Sequence, residues 1–228
     1  MGVVDAGASL FVTGTDTGVG KTVASCALLH VLRARGLRAV GMKPIAAGLE
    51  PSPDGPINAD VAALRRASSW LAPVSQVNPY SFEPAIAPHL AAASAGMRIE
   101  IARIVQAFEA LRASADAIVV EGVGGFLVPL NESEDAGDLA VALALPVVLV
   151  VGMRLGCLNH ALLTRQAIAA RSLRLGGWIA NSIDPDMLRF DQNLQALRER
   201  IAAPLLGVMP HRVPPDPASF ELRLLNDI

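Results

Sequence analysis

Cysteine is scarce in this 228-residue sequence: only Cys26 and Cys157 occur, and neither has a CxxC partner that would suggest a zinc site, a redox couple or a disulfide framework. Aromatic residues make up 4% of the chain, too few for the stacking platform on which single-stranded nucleic acid is held. Positive charge is not in excess either. Against 19 Lys and Arg stand 21 Asp and Glu, a formal net charge of −2, so no general field draws a polyanion and nucleic acid is excluded as an expected partner. Long apolar runs are missing as well: the most apolar stretch, residues 139–151, is broken by Pro146 and falls short of the roughly 20 residues of a membrane span. Residues 1–6 show no charged and apolar sections of a signal peptide, and Ala6 stands where a myristoylation motif takes Ser or Thr. A soluble, cytoplasmic protein with reduced thiols and no membrane contact is expected.

Lysine is the scarcest charge. Of the 19 basic residues only Lys21 and Lys43 are lysine. A compact ammonium fills roles that a planar guanidinium fills poorly, so both are candidates for chemistry. What the chain has in plenty is apolar residues, 52% against 18% charged, enough for one substantial core and a single domain over residues 1–228.

Short β-branched runs alternate with stretches of helical period, which predicts an α/β fold, a mainly parallel sheet with helices on both faces. Strands are expected at residues 9–14, 39–43, 117–121, 147–151, 177–181 and 205–209, nearly all apolar, as strands buried on both faces must be. Helices are expected at 20–35, 99–114, 159–171 and 187–201, with a Pro-rich insertion at 44–96 carrying short helices at 60–67 and 88–95. Ligands of such sheets sit beyond the carboxyl ends of the strands, and glycine and polar residues collect there in this chain.

The segment GTDTGVGKT, residues 14–22, follows an apolar strand and opens a helix. In that context glycines curl the backbone so that N–H groups of Thr17, Gly18, Val19, Gly20 and Val23 face an anion; Lys21 reaches the outer phosphates and the Thr22 hydroxyl binds Mg²⁺. Five residues separate Gly14 from Gly20, one more than the common P-loop pattern. Lys43 ends the second strand, placed to neutralise charge on γ-phosphate and substrate rather than to serve as a solvated surface cation. Mg²⁺ takes hard oxygens, which nominates Glu121, at the end of AIVVE, and Asp60 from the insertion; for Asp60 a helix N-cap is the alternative. Gly122, Val123 and Gly124 form either a second backbone anion cradle or a plain tight turn. Gly156, Cys157, Leu158 and Asn159 precede a helix and offer free N–H groups to a carboxylate, with capping by Asn159 as the alternative. Asn181, Ser182 and Pro210 with His211 follow the last strands and are candidates to flank a purine, the Asn181 amide pairing with its edge.

These segments, GTDTGVGKTVAS, GMKPIAAG, Asn58-Ala59-Asp60, VEGVGG, GCLNHA and APLLG, taken in order from about Leu10 to Arg212, resemble the dethiobiotin synthetase family. The resemblance implies a three-layer P-loop NTPase-type fold and an ATP-dependent cyclo-ligase of biotin synthesis, joining 7,8-diaminononanoate and CO₂ through a carbamate and a carbamic–phosphoric anhydride. It implies catalytic roles for Lys43 and Lys21, Mg²⁺ on Thr22, Asp60 and Glu121, and adenine-side contacts from Asn181, Pro210, His211 and Arg212. It also implies a homodimer whose interface holds the substrate, with the tail carboxylate on residues 156–159 of the neighbouring chain. There are two departures: Ala47 stands at a substrate-facing position where the family has a hydroxyl, and Gly18 where it often has a larger acidic residue.

The rival reading is a P-loop nucleotide switch of the partitioning or metal-cluster-carrier type. Those proteins carry a second lysine near the start of the loop, and residues 13–17 contain none. A corrin-amidating relative would need a further glutamine-hydrolysing domain.

Overall fold

The computed structural model describes residues 9–53 and 55–224; residues 1–6, where a leader was sought, lie outside the described residues. In chain order the elements are β1 (Leu10–Gly14), α1 (Lys21–Ala34), β2 (Ala39–Met42), β3 (Ile45–Ala47), α2 (Ala59–Ala67), α3 (Val74–Val77), β4 (Tyr80–Phe82), α4 (Pro88–Ser94) and α5 (Ile101–Arg112). There follow β5 (Ala117–Glu121), α6 (Ala136–Leu143), β6 (Val147–Met153), α7 (Cys157–Ala170), β7 (Leu175–Ser182), α8 (Phe190–Arg200) and β8 (Leu205–Met209), with a 3₁₀ turn at Pro217–Ser219. The main sheet is parallel throughout, in the order β2-β5-β1-β6-β7-β8. The expected fold is present, and all six expected strands lie in this sheet. No helix among the described residues is long and apolar enough to cross a membrane.

Successive strand side chains point to opposite faces, and the core divides accordingly. On one face Leu10 and Val12 of β1, Val119 of β5 and Val148 of β6 pack with Leu28, Leu29 and Leu32 of α1 and Leu64 of α2. Phe11, Ile118 and Val120 turn the other way, onto Ile104 and Phe108 of α5 and Leu139 of α6. Leu149 and Val151 of β6 join Trp178 of β7 and Leu197 of α8. Burying a side chain such as Phe11 contributes about 1.5–3 kcal/mol, and alternation repeated along every central strand is what sets the register.

Three pieces of the insertion escaped sequence reasoning, the single helical turn α3 and two short strands. Residues 45–47 and 80–82 pair as a separate two-stranded parallel sheet, Ile45 opposite Tyr80, each strand too short to carry a period. Asn78 ties it to the main body, its Nδ2 donating to the carbonyls of Lys43 and Tyr80 at 2.7 and 2.8 Å. The chain is thus led directly from Lys43 into the cleft wall.

Candidate active site

The phosphate loop is built where β1 gives way to α1. Gly20 caps the helix with φ 87°, a left-handed backbone, and a Cβ there would stand 2.1 Å from Asn181 Nδ2, so only glycine fits. Asn181, on β7, holds the loop from behind by donating Nδ2 to the Val19 carbonyl at 2.9 Å. Val19 turns its side chain into the core and offers the loop only its backbone. At Gly18 φ is +74° with open space around the missing Cβ, so a side chain there is resisted by backbone strain and not by neighbours.

Beyond the loop lies a buried charge cluster. Lys43 follows the last residue of β2 and is 4% exposed; its Nζ donates to Glu121 Oε1 at 2.5 Å, to the Gly122 carbonyl at 3.3 Å, and pairs with Asp60 Oδ2 at 2.9 Å. Glu121 Oε1 also accepts the Thr22 hydroxyl at 2.9 Å, while Glu121 Oε2 is buried with no partner. Burial works against the Lys43 charge, yet Glu121 and Asp60 outweigh it and hold its pKa above the ordinary lysine value. For Asp60 burial pushes upward, but the Lys43 ammonium and hydrogen bonds from Lys43 and Thr22 win and lower it. Lys21 goes the other way. Burial first, then repulsion from Lys43, bring it down to about 8, against the opposing pull of Glu121, Asp60 and Asp16. Its Nζ rests 2.8 Å from the Asp16 carbonyl.

Asp60 is not the cap of α2. That role belongs to Asn58, whose side chain accepts from the N–H groups of Asp60 and Val61, which leaves the Asp60 carboxylate to Lys43. Asn58 Nδ2 also donates to the carbonyls of Ala47 and Gly48, at 3.0 and 2.8 Å, so one residue fixes both sides of the cleft. Likewise Asn159 does not cap α7: Gly156 occupies the N-cap and Asn159 lies inside the helix.

Twelve of the sequence-nominated residues line one cleft of about 800 Å³: Thr17, Gly18, Gly20, Lys21, Thr22 and Val23 of the loop, with Lys43, Ala47, Asp60, Glu121, Val123 and Gly124. Gly122 lies just behind, present through its carbonyl. The wall opposite the loop is Ala85, Ile86, Ala87 and Pro88, which sequence reasoning missed because apolar wall residues carry no chemical signature. A second cleft of about 250 Å³ gathers Asn181, Ser182, Pro210, His211 and Arg212 against Gly18 and Val23. It therefore opens from the same loop. Ile183, Met209, Pro215 and Phe220 complete it. Gly156, Cys157, Leu158 and Asn159 line neither cleft of this chain. The thiol of Cys26 is pushed up to about 12, chiefly by burial and then by Glu121, which disfavours the thiolate.

Thr22, Asp60 and Glu121 fit a divalent ion: two carboxylates and a hydroxyl converge, one buried carboxylate oxygen lacks a partner, and Mg²⁺ takes its remaining positions from phosphates and water. Among the described residues no group of three or more His, Cys, Asp or Glu could hold a metal ion.

A family model described as an AAA domain matches residues 8–218. The ATP-dependent dethiobiotin synthetase BioD of Aromatoleum aromaticum is 59% identical over 214 residues, covering 94% of this chain and 95% of the relative. The chain belongs to the dethiobiotin synthetase family. Dethiobiotin synthetases of Xanthomonas axonopodis pv. citri and Xylella fastidiosa are 53% and 52% identical, over 92% and 95% of this chain and 94% and 96% of their own. In fold alone the chain is similar to the cell division protein FtsY of Thermotoga maritima, with a TM-score of 0.54 at 14% identity, covering 97% of this chain and 66% of that one. The synthetase relatives at high identity and coverage support the dethiobiotin synthetase reading over that of a nucleotide switch.

Proposed function

We propose that this protein is an ATP-dependent cyclo-ligase that makes dethiobiotin from 7,8-diaminononanoate, CO₂ and ATP. One amine takes up CO₂ as a carbamate, releasing a proton; a carbamate oxygen attacks the γ-phosphorus and expels ADP; the neighbouring amine attacks the carbamoyl carbon, expelling phosphate and closing the cyclic urea. Every step crowds anions together, and the observation that carries the reading is the Lys43 ammonium buried between Glu121 and Asp60 within the same cleft as Lys21. Burial in a low-dielectric site makes each such charge count for more than it would in water.

The residue roles follow from position. Thr17 to Val23 cradle the triphosphate through backbone N–H groups and the Lys21 ammonium. Mg²⁺ on Thr22, Asp60 and Glu121 would neutralise the outer phosphates and take over both carboxylates. Lys43, relieved of its carboxylate partners, is then free to stabilise the carbamate and the transferring phosphoryl group. Val123 and Gly124 close the cleft beside Thr17, and Ala47 meets the substrate without a hydroxyl. The purine belongs in the second cleft. There Asn181, with Nδ2 committed to Val19, keeps Oδ1 to accept from an exocyclic amino group, and Ser182, Pro210, His211 and Arg212 form the surround.

The tail carboxylate is assigned to Gly156, Cys157, Leu158 and Asn159 of a second copy, which makes the working unit a homodimer in the cytoplasm, each subunit one domain. The helix N-terminus at Gly156 favours an anion.

The test is direct. Incubated with ATP, Mg²⁺, bicarbonate and 7,8-diaminononanoate, the protein should release ADP only when the diamine is present and yield a product heavier than the diamine by CO₂ less water. ADP release indifferent to the diamine would sink the ligase reading in favour of a switch.

A further inference from the structure

One ion pair at the lip of the phosphate loop plays no part in the scheme above. Arg154, the first residue after β6, places Nη2 2.7 Å from Oδ2 of Asp16. Asp16 lies within the loop itself: its Oδ1 accepts the Thr17 N–H at 2.7 Å and its carbonyl accepts Lys21 Nζ at 2.8 Å. Accepting from the next backbone N–H fixes the Asp16 side chain against the loop. The carboxylate also sets a negative charge on the segment meant to receive a triphosphate.

We propose that Arg154 is a positioning residue of the nucleotide site: it acts through Asp16, engaging its outer carboxylate oxygen and cancelling its charge, so that the loop keeps this contact without repelling the phosphates. The inference rests on the ATP-binding reading of the loop. The pairing reaches across the junction of neighbouring strands. Thr15 N–H donates to the Val150 carbonyl at 3.0 Å, so the ends of β1 and β6 are held side by side and Arg154 has a fixed base from which to reach. Its own carbonyl accepts the N–H of Cys157 at 3.0 Å at the start of α7, so the same residue ties the phosphate loop to the helix assigned to the substrate's tail. Both side chains are about half exposed, so the pair adds little to folding stability and its effect is local.

The experiment is a double-mutant cycle on the full-length protein, with MgATP affinity read by calorimetry without diamine and melting temperature read in parallel. Arg154→Ala should weaken MgATP by roughly three- to tenfold, the scale of one uncompensated charge near a partly solvated anion site, and Arg154→Lys should restore most of the loss. Asp16→Asn, which keeps the acceptor for Thr17, should bind at least as tightly as wild type, and Arg154→Ala should cost nothing further in that background. An equal loss in both backgrounds would mean that Arg154 meets the nucleotide directly and would overturn the proposal. So would a lower melting temperature with unchanged affinity. Wild-type protein that binds no MgATP would remove the nucleotide reading and this inference with it.

Discussion

At the scale of single residues the two lysines behave differently although they share a cleft. Lys43 is held charged by Glu121 and Asp60, and its removal should lower kcat by about 10²- to 10³-fold while MgATP affinity changes only a few-fold; a Lys43→Ala enzyme with near-normal kcat would refute its role. Lys21, brought down to about 8, sheds its proton above that pH in the folded protein while the unfolded chain keeps it up to 10.5. Within that window the unfolded state binds more protons, so this group adds stability as pH rises. Phosphates reverse the depression, and MgATP binding near pH 8 should therefore take up protons and weaken at higher pH. Calorimetry in buffers of different ionisation enthalpy tests this, and a binding enthalpy indifferent to the buffer would count against it. Both lysines were legible in the sequence because the chain uses so few. Asp16 with Arg154 was not: the two stand 138 residues apart, and nothing in either segment announces the other.

At the scale of elements, the six strands of the main sheet were legible as short apolar runs, buried almost throughout except for β8, which is half-buried at the sheet edge, whereas β3 and β4 have three residues each and read as loop. The start of α2 misled for a physical reason. Asn58 and Asp60 are both good caps, and only the geometry shows Asn58 accepting from two N–H groups while Asp60 turns to Lys43. Asn58→Ala removes the cap and both bonds to β3 and the residue after it, a loss of roughly 2 kcal/mol, and should lower Tm by about 4–8 °C. Asn58→Asp keeps the cap without the donors and should fall between. A thermal melt of Asn58→Ala that matches wild type would show that α2 and the cleft wall are not joined in this way.

At the scale of the whole molecule, the shared-site proposal predicts complementation. Lys43→Ala and Leu158→Asp should each be inactive alone, one lacking the reacting charge and the other repelling the tail carboxylate. Mixed by unfolding and reassembly, half the dimers pair unlike subunits and one of their two sites is intact, so about a quarter of wild-type activity should return; a mixture that stays inactive would argue for a site contained in one chain. The sheet order has a further consequence. β1 is made first but is flanked by β5 and β6, and the opening of the phosphate loop is bonded to β6 through Thr15. On a ribosome, then, the nucleotide-binding motif emerges long before the strands that give it shape, and the growing chain stays unable to capture ATP until β6 has left the exit tunnel.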